Sequence, residues 1–238
     1  MKRIYLHVGI HKTGTTTIQR YCKINRGYLK KNESFYPKNQ SSDHEIPTLI
    51  RQVRIQKLSK IIESLRVNRF QNILLNSEGM SRLGVENLTM LRDEPSMQFD
   101  SIRVVIFIRH QVGAIESLYT QLLKNDNITI PISEYCLRDF QKLNYLQYLD
   151  TLSSVFGKNQ IQVFNFNQAK NELLKVFTES IGLNYNEELL KVPSRRNSVY
   201  VSTNSAWNEP ILIQLYGITI MEYLSVIKLS KTTVTYAL

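Results

Sequence analysis

The chain has 238 residues, of which 42% are hydrophobic and 21% are charged. These values are typical of a folded globular protein and exclude the disordered and fibrous classes, and the length favours one α/β domain over residues 1–238. Thirty Lys and Arg against 20 Asp and Glu give a net charge of +10. Such an excess favours an anionic ligand, for example a nucleotide, an acidic glycan, a nucleic acid or a membrane surface, although solubility alone is an alternative explanation.

Short β-rich runs alternate with helical patterns along the chain, which predicts a parallel sheet with crossover helices. Near-continuous apolar character, typical of strands covered on both faces, marks four strands at residues 4–8, 72–76, 103–108 and 161–166. Helical patterns cover residues 15–31, 46–67, 111–124, 132–140, 143–156 and 168–181. Residues 32–44 and 192–208 are predicted to be loops.

The two ends of the chain and its cysteines give further expectations. The first residues lead directly into an apolar run that is too short for an export signal, which predicts a cytoplasmic protein. The apolar segment 211–229 is interrupted by charged residues and is predicted to be an amphipathic helix rather than a transmembrane span. That helix would either form a homodimer surface or cover the sheet.

Cys22 and Cys136 have no metal-ligand spacing and are predicted to be reduced thiols of the core.

The stretch HVGIHKTGTTTIQ, residues 7–19, follows the first strand and nearly matches a nucleotide-binding phosphate loop. Gly9 and Gly14 have the glycine spacing of G-x-x-x-x-G-K-[ST], but Thr15 stands at the position of the lysine, and Lys12 lies inside the loop instead. A loop between a strand and a helix N-terminus, rich in threonine hydroxyls, can bind an anion. The alternative is a tight strand-to-helix turn with threonine as the N-cap.

The stretch GIHKTGTTTIQ resembles the 5′-phosphosulfate-binding loop of sulfotransferases that use 3′-phosphoadenosine-5′-phosphosulfate (PAPS), which has the form strand, K-[ST]-G-T-[ST], helix. The resemblance implies an α/β fold of three layers, P-loop-like, with a central parallel sheet flanked by helices. It implies that Lys12 contacts the bridging oxygen and the sulfonate of PAPS, and that no metal is required. It further implies a 5′-phosphate site formed by Thr13, Gly14, Thr15, Thr16 and Thr17.

A donor with a 3′-phosphate requires a second anion site, and IFIRHQVGAIESLYTQ at the end of the third strand offers one. Arg109 leaves the strand and Ser117 follows eight residues later. A guanidinium can bind a phosphate through two hydrogen bonds, and the serine can face the same group from the following helix. The resemblance extends to this motif, because sulfotransferases hold the 3′-phosphate with an Arg and a Ser at this spacing. The alternatives are an ion pair of Arg109 with Glu116 or Asp126, and an ordinary helix-surface serine.

The downstream layout of residues 145–183 also resembles bacterial sulfotransferases, with a helix, an FG turn, a strand, a helix and a GL ending. The likeness therefore covers residues 2–183 and leaves residues 184–238 unassigned. The late loop lacks the R-K-G-x-x-G-D-W-K-N form of cytosolic animal members. Arg196 is its candidate for nucleotide binding, and a solvated basic turn is the alternative.

Transfer of a sulfonate requires a base for the proton of the acceptor. NILLNSEGMSRL places Glu78 at the end of the second strand, beside the first loop, and Glu78 is the first candidate. In related enzymes a His or Glu near the corresponding strand end has this role. His11, next to Lys12, is the second candidate. Alternatively, Glu78 is an N-cap or first-turn carboxylate or a partner of Arg82, and His11 bonds to the backbone.

The sequence thus predicts a PAPS-dependent sulfotransferase that acts by in-line displacement on a hydroxyl or amine of a carbohydrate or small-molecule acceptor, with no nucleic-acid partner. One alternative is a P-loop nucleotide kinase or NTPase with a degenerate loop. Against it stand the missing lysine and the lack of an apolar run ending in Asp that could hold Mg²⁺. Another alternative is a non-catalytic module that binds polyanions, which is disfavoured because the sequence has no recognised nucleic-acid motif.

Overall fold

A computed structural model of the chain describes residues 2–37, 70–93, 100–125, 132–139, 143–188 and 190–192. The chain divides into two compact units, Met1–Pro193 with Thr235–Leu238 and Ser194–Val234, and every described residue belongs to the first. The predicted helix 46–67 and the predicted C-terminal helix 211–229 lie outside the described residues. The single domain over residues 1–238 stays a prediction for the same reason.

The described strands form one five-stranded parallel sheet in the order β2-β3-β1-β4-β5. The four predicted strands are confirmed to within two residues at either end. The sequence did not predict the short β2, which lies in the predicted loop 32–44 and has too few residues to show a pattern. The strands are β1 (Arg3–Val8), β2 (Ser34–Phe35), β3 (Asn72–Ser77), β4 (Ser101–Ile108) and β5 (Ile161–Asn165).

Helices follow β1, β3, β4 and β5 in the described ranges, as expected for a parallel sheet. They are α1 (Thr15–Ile24), α2 (Arg26–Lys31), α3 (Val85–Asp93), α4 (Gln111–Asn125), α5 (Ile132–Asp139), α6 (Tyr145–Phe156), α7 (Phe166–Ala169) and α8 (Leu173–Ser180). Short 3₁₀ helices follow β3 at Glu78–Arg82 and precede β5 at Lys158–Gln160. None of the helices in the described ranges combines the length and the apolar character that crossing a membrane demands.

The helices of the structure differ from the predicted ones in three places. The predicted helix 15–31 is interrupted at Asn25, whose side chain donates to the Tyr21 carbonyl and accepts from the backbone N–H of Lys191. An asparagine that bonds the backbone in this way competes with helical hydrogen bonding. The predicted helix 168–181 is two helices, α7 and α8. Helix α3 was not predicted.

Both faces of the sheet are covered. On one face, Tyr5, Val105 and Phe107 join a buried cluster with residues of α1 and α8 such as Tyr21 and Phe177. On the other face, α6 packs against β4, β5 and α3. This three-layer arrangement confirms the predicted fold class, and Cys22 and Cys136 are buried in it without forming a disulfide.

The order of the strands fixes where a ligand can bind. The chain leaves β1 towards β2 and β3 on one side, whereas it leaves β4 towards β5 on the other. In an open parallel sheet, the gap beyond the carboxyl ends of two strands whose connections diverge in this way is the usual ligand-binding crevice. That gap lies between β1 and β4, where the sequence places Lys12 and Arg109.

Candidate functional site

The loop after β1 has an unusual backbone conformation. Lys12 and Gly14 both have positive φ angles, 65° and 77°. Gly9 donates its N–H to the carbonyl of Ser77 at the end of β3 over 3.0 Å. Inside the loop, the hydroxyl of Thr13 donates to the carbonyl of Ile10 over 2.7 Å. These bonds hold the loop in a compact curve against the sheet edge.

Gly14 is required at its position for two reasons. Its φ angle of 77° lies in the left-handed region, and an added Cβ would lie 2.4 Å from Leu173 Cδ2 in α8. Gly14 is also the N-cap of α1, and no side chain caps that helix. The alternative reading of the loop, in which a threonine side chain is the N-cap, therefore does not describe this structure.

The threonines of the loop divide into two groups. Thr13 and Thr15 are buried, and both hydroxyls donate to the carbonyl of Ile10, over 2.7 and 3.3 Å. Thr16 and Thr17 are exposed in the first turn of α1. The backbone N–H groups of a first turn have no acceptor within the helix and point outward from its start. Thr13 and Thr15 thus shape the loop, whereas Thr16 and Thr17 offer hydroxyls beside the helix N-terminus.

Arg109 connects the end of β4 to this loop. Its Nη1 donates to the carbonyl of Lys12 over 3.3 Å and to the hydroxyl of Ser117 over 3.2 Å. Ser117 lies two turns into α4, so the eight-residue spacing brings the two side chains together as predicted. The structure therefore places both sequence motifs in one continuous group of contacts.

The surroundings of Arg109 leave hydrogen-bonding capacity on its guanidinium. The group lies over the ring of Phe166, 5.8 Å from the ring centre. Its Nε is buried, and no hydrogen-bond partner for that atom is present among the described residues. Burial lowers the pKa of Arg109, while the charge of Glu116 opposes this effect. Within the described part of the chain no ion pair joins Arg109 to Glu116, and the other alternative partner, Asp126, lies outside it.

The two base candidates are in direct contact with each other. His11 Nδ1 lies 2.6 Å from Glu78 Oε1, and each side chain is 34% exposed. On the other side of the ring, Nη2 of Arg82 lies 3.0 Å from His11 Nε2. A guanidinium can only donate, so Nε2 accepts this bond and Nδ1 carries the hydrogen that is donated to Glu78.

Glu78 is stabilised in its ionised form. The hydrogen bond from His11 lowers its pKa most, burial opposes this, and the charges of Arg82 and Lys12 lower it further. Ser77, not Glu78, is the N-cap of the following 3₁₀ helix, because its hydroxyl accepts from the N–H of Gly79. Glu78 therefore occupies the first turn of that helix while its carboxylate faces the loop after β1.

A buried polar pair lies in the two strands below the loop. His7 Nδ1 donates to the side-chain oxygen of Asn76 over 2.9 Å, and His7 packs edge-on against Phe107 and Phe177. Burial lowers the pKa of His7 to about 4. The His7 Nε2 and the Asn76 Nδ2 are both buried without a partner among the described residues. His7 is thus a neutral residue of the core.

Two residues of the site were not predicted. The sequence predicts Arg82 only as a possible helical partner of Glu78, whereas its side chain contacts His11. Its position four residues after Glu78 was the only sequence feature that placed it near the site. Phe166 directly follows β5 at the same sheet edge as Arg109, and no motif marks it. Arg196 lies outside the described residues. In the described ranges, no group of three or more His, Cys, Asp or Glu side chains is placed to hold a metal ion.

Comparisons with known proteins give similarity in structure but not in sequence. No protein-family model matches the chain, and no curated protein is found to be related to it. The crystal structure of a sulfotransferase from Alicyclobacillus acidocaldarius matches with a TM-score of 0.55 and 12% identity, covering 90% of each chain. A sulfotransferase domain from the curacin biosynthetic pathway matches with a TM-score of 0.46 and 10% identity, over 82% of this chain and 78% of that one. The first similarity shows that this chain has the fold of a sulfotransferase, in agreement with the fold implied by its motifs.

Proposed function

We propose that this protein transfers a sulfonate from PAPS to a hydroxyl or amine of a carbohydrate or small-molecule acceptor. The observation that carries the proposal is the contact of Arg109 with both Ser117 and the carbonyl of Lys12. It joins a site suited to a 3′-phosphate to a loop suited to a 5′-phosphosulfate, which is the combination that PAPS requires. The fold shared with a solved sulfotransferase supports the same function.

The residues of the loop fit the 5′ end of such a donor. The backbone N–H groups at the start of α1 and the hydroxyls of Thr16 and Thr17 would hold the 5′-phosphate, since an anion is stabilised at a helix N-terminus. Gly14 lets the backbone approach the oxyanion, and the hydroxyls of Thr13 and Thr15 maintain the loop. The ammonium group of Lys12 would neutralise charge on the bridging oxygen and the sulfonate.

Arg109 and Ser117 fit the 3′-phosphate. A guanidinium has five N–H donors, and the two contacts of Arg109 both use Nη1. The remaining donors, with the Ser117 hydroxyl, provide charge-assisted hydrogen bonds for a phosphate. Arg196 stays a prediction as a further contact to the nucleotide.

His11 and Glu78 would act as a pair on the proton of the acceptor. Glu78 holds Nδ1–H, which orients the ring and leaves Nε2 as the basic nitrogen, the same division of roles as in an Asp-His pair of a hydrolase. His11 would therefore take the proton, and Glu78 would position it and stabilise the resulting imidazolium. The sequence predicts Glu78 as the first candidate for the base and His11 as the second, whereas this proposal makes His11 the base.

When bound, PAPS supplies a sulfur whose bond to the bridging oxygen breaks, with its electron pair leaving on 3′-phosphoadenosine-5′-phosphate (PAP), as the acceptor oxygen bonds to that sulfur. His11 Nε2 receives the proton that this oxygen loses. Lys12 lies beside the group in transfer, and its charge also acts on Glu78. As in phosphoryl transfer, the work of the protein is mainly positioning and stabilisation of charge.

Calorimetric titration with PAP, AMP and ATP with Mg²⁺ tests the proposal. We expect PAP to bind about 10- to 100-fold more tightly than AMP, since hydrogen bonds to a charged group contribute roughly 1.5–3 kcal/mol. Arg109→Ala should remove this preference, whereas Arg103→Ala, at the far end of the same strand, should retain it. Tighter binding of ATP with Mg²⁺ than of PAP would instead favour the kinase or NTPase alternative.

A further inference from the structure

Arg82 is the residue of the site to which the proposed chemistry gives no role. Its Nη2 donates to His11 Nε2 over 3.0 Å. On the proposed function, on which this inference rests, that nitrogen must receive the proton of the acceptor. An acceptor hydroxyl can form its hydrogen bond there only when Arg82 gives up its own.

A neutral imidazole uses little of the hydrogen-bonding capacity of an arginine. The planar guanidinium matches a carboxylate, sulfate or phosphate through two parallel bonds, whereas the imidazole nitrogen offers one lone pair. Arg82 is exposed, and between described residues it takes part in no ion pair. Glu78 is near enough for the charge of Arg82 to lower its pKa, but Glu78 Oε1 is held by His11. Arg82 therefore keeps donors for an anion that comes from outside the protein.

The charges around His11 favour such an anion. Arg82 is positive, and its charge acts on Glu78, whose Oε1 is already bonded to His11. Positive charge therefore lies beside the basic nitrogen of His11. A negative group placed at this point is attracted, and an acceptor that carries one is oriented with respect to His11.

We propose that Arg82 binds an anionic group of the acceptor and thereby frees His11 Nε2 for the reacting hydroxyl. Because the Arg82 side chain reaches His11 Nε2, an anion that it binds would lie within reach of that side chain from the hydroxyl at Nε2. The substrate class is an acidic hydroxylated molecule, such as a sugar with a carboxylate or an ester sulfate a few bonds from the hydroxyl. Arg82 is then a residue that determines acceptor specificity.

NMR of protein labelled with ¹⁵N-histidine and saturated with PAP tests this inference without a need for turnover. The probes are methyl β-D-glucuronide and methyl β-D-glucoside, which differ by the carboxylate. His11→Gln identifies the His11 signals among those of the four histidines. We expect the glucuronide to shift the His11 Nε2 resonance and to bind about tenfold more tightly than the glucoside, with the two affinities within about twofold in Arg82→Gln.

Arg103→Gln is the matched control, because it removes the same charge from a side chain that donates to the Asn159 carbonyl, and it should behave like the unmodified protein. The inference is overturned if the glucuronide leaves the His11 resonance unmoved, if both sugars act equally, or if the response persists in Arg82→Gln. PAP affinity, measured first on each protein, separates the two ideas. Failure of PAP to bind the unmodified protein refutes the proposed function, whereas normal PAP binding with no sugar response refutes the role of Arg82 alone.

Discussion

Arg109 donates through Nη1 to the carbonyl of Lys12 over 3.3 Å, across 97 positions of sequence. The bond joins the residue that follows β4 to the loop that follows β1, and these two strands pair side by side. Lys12 has a positive φ angle of 65°, which is uncommon for a residue with a side chain. The bond to its carbonyl helps hold this conformation, so the two predicted anion sites depend on each other.

Ser117→Ala tests the second anion site with little disturbance of the fold. The variant removes the hydroxyl that accepts from Arg109 and that would donate to a 3′-phosphate. We expect PAP affinity, measured by calorimetry, to fall by about 3- to 30-fold, while AMP affinity stays within about twofold. Thr120→Ala is the control on the same helix, because its hydroxyl bonds only the Glu116 carbonyl among the described residues. An equal loss for PAP and AMP in Ser117→Ala would contradict the assignment of this site to the 3′-phosphate.

Gly14→Ala should destabilise the protein. The substitution places a Cβ at a φ angle of 77°, 2.4 Å from Leu173 Cδ2. We expect the free energy of unfolding, measured with urea, to decrease by about 1–2 kcal/mol, mainly from left-handed strain, because the end of the Leu173 side chain can move away from the added Cβ. Gly27→Ala is the control. An added Cβ there meets no atom within 4 Å, and alanine is favoured over glycine in a helix such as α2, so this variant should be as stable or more so. Similar losses in both variants would argue against the loop geometry described.

His7 should make stability depend on pH. Its pKa is about 4 in the folded protein, against 6.5 for an unperturbed histidine, so the unfolded chain binds more protons between these values. The contribution of His7 to the stability of the fold is present above pH 6.5 and is lost as the pH falls towards 4. When the pH falls from 7 to 5, protonation of His7 in the unfolded chain should lower the free energy of unfolding by about 2 kcal/mol.

The double variant His7→Leu, Asn76→Leu tests this, since replacing both partners of a buried hydrogen bond by apolar groups is close to neutral in stability. Urea unfolding at pH 7 and at pH 5 measures the loss in the free energy of unfolding between them. This loss should be about 2 kcal/mol smaller in the variant than in the unmodified protein. An identical pH dependence of the two proteins would show that His7 is not the group responsible.

Separate substitutions of His11 and Glu78 decide which of the two takes the proton. With an acceptor identified by screening, we expect His11→Gln to lower kcat by about 10²–10⁴-fold. Glu78→Gln should lower it less, because the imidazole remains and only its orientation and the stabilising charge are lost. Both variants should bind PAP within about threefold of the unmodified protein, which excludes unfolding as the cause. A larger loss in Glu78→Gln would return the role of base to the carboxylate.

The sequence by itself determined the α/β fold class and four of the five described strands, because buried parallel strands are continuous apolar runs. It also proposed the residues of two anion-binding motifs, because the glycines and donors of such a loop would stand at fixed local spacing. The pairing of Arg109 with Ser117 was also predictable, since it is set by the geometry of one strand end and one helix. The short β2 and the break at Asn25 were not, because they depend on Asn72 and Lys191, which are distant in sequence.

Only the tertiary structure decided how the groups at the sheet edge meet. The contact of Arg109 with Lys12 depends on β1 pairing with β4, and the contact of His11 with Glu78 depends on β1 pairing with β3. No local pattern encodes these pairings, because they follow from the order of strands in the whole sheet. For the same reason the sequence alone left Glu78 and His11 as alternative bases and Arg82 as a helical neighbour, whereas the folded chain joins all three around one imidazole.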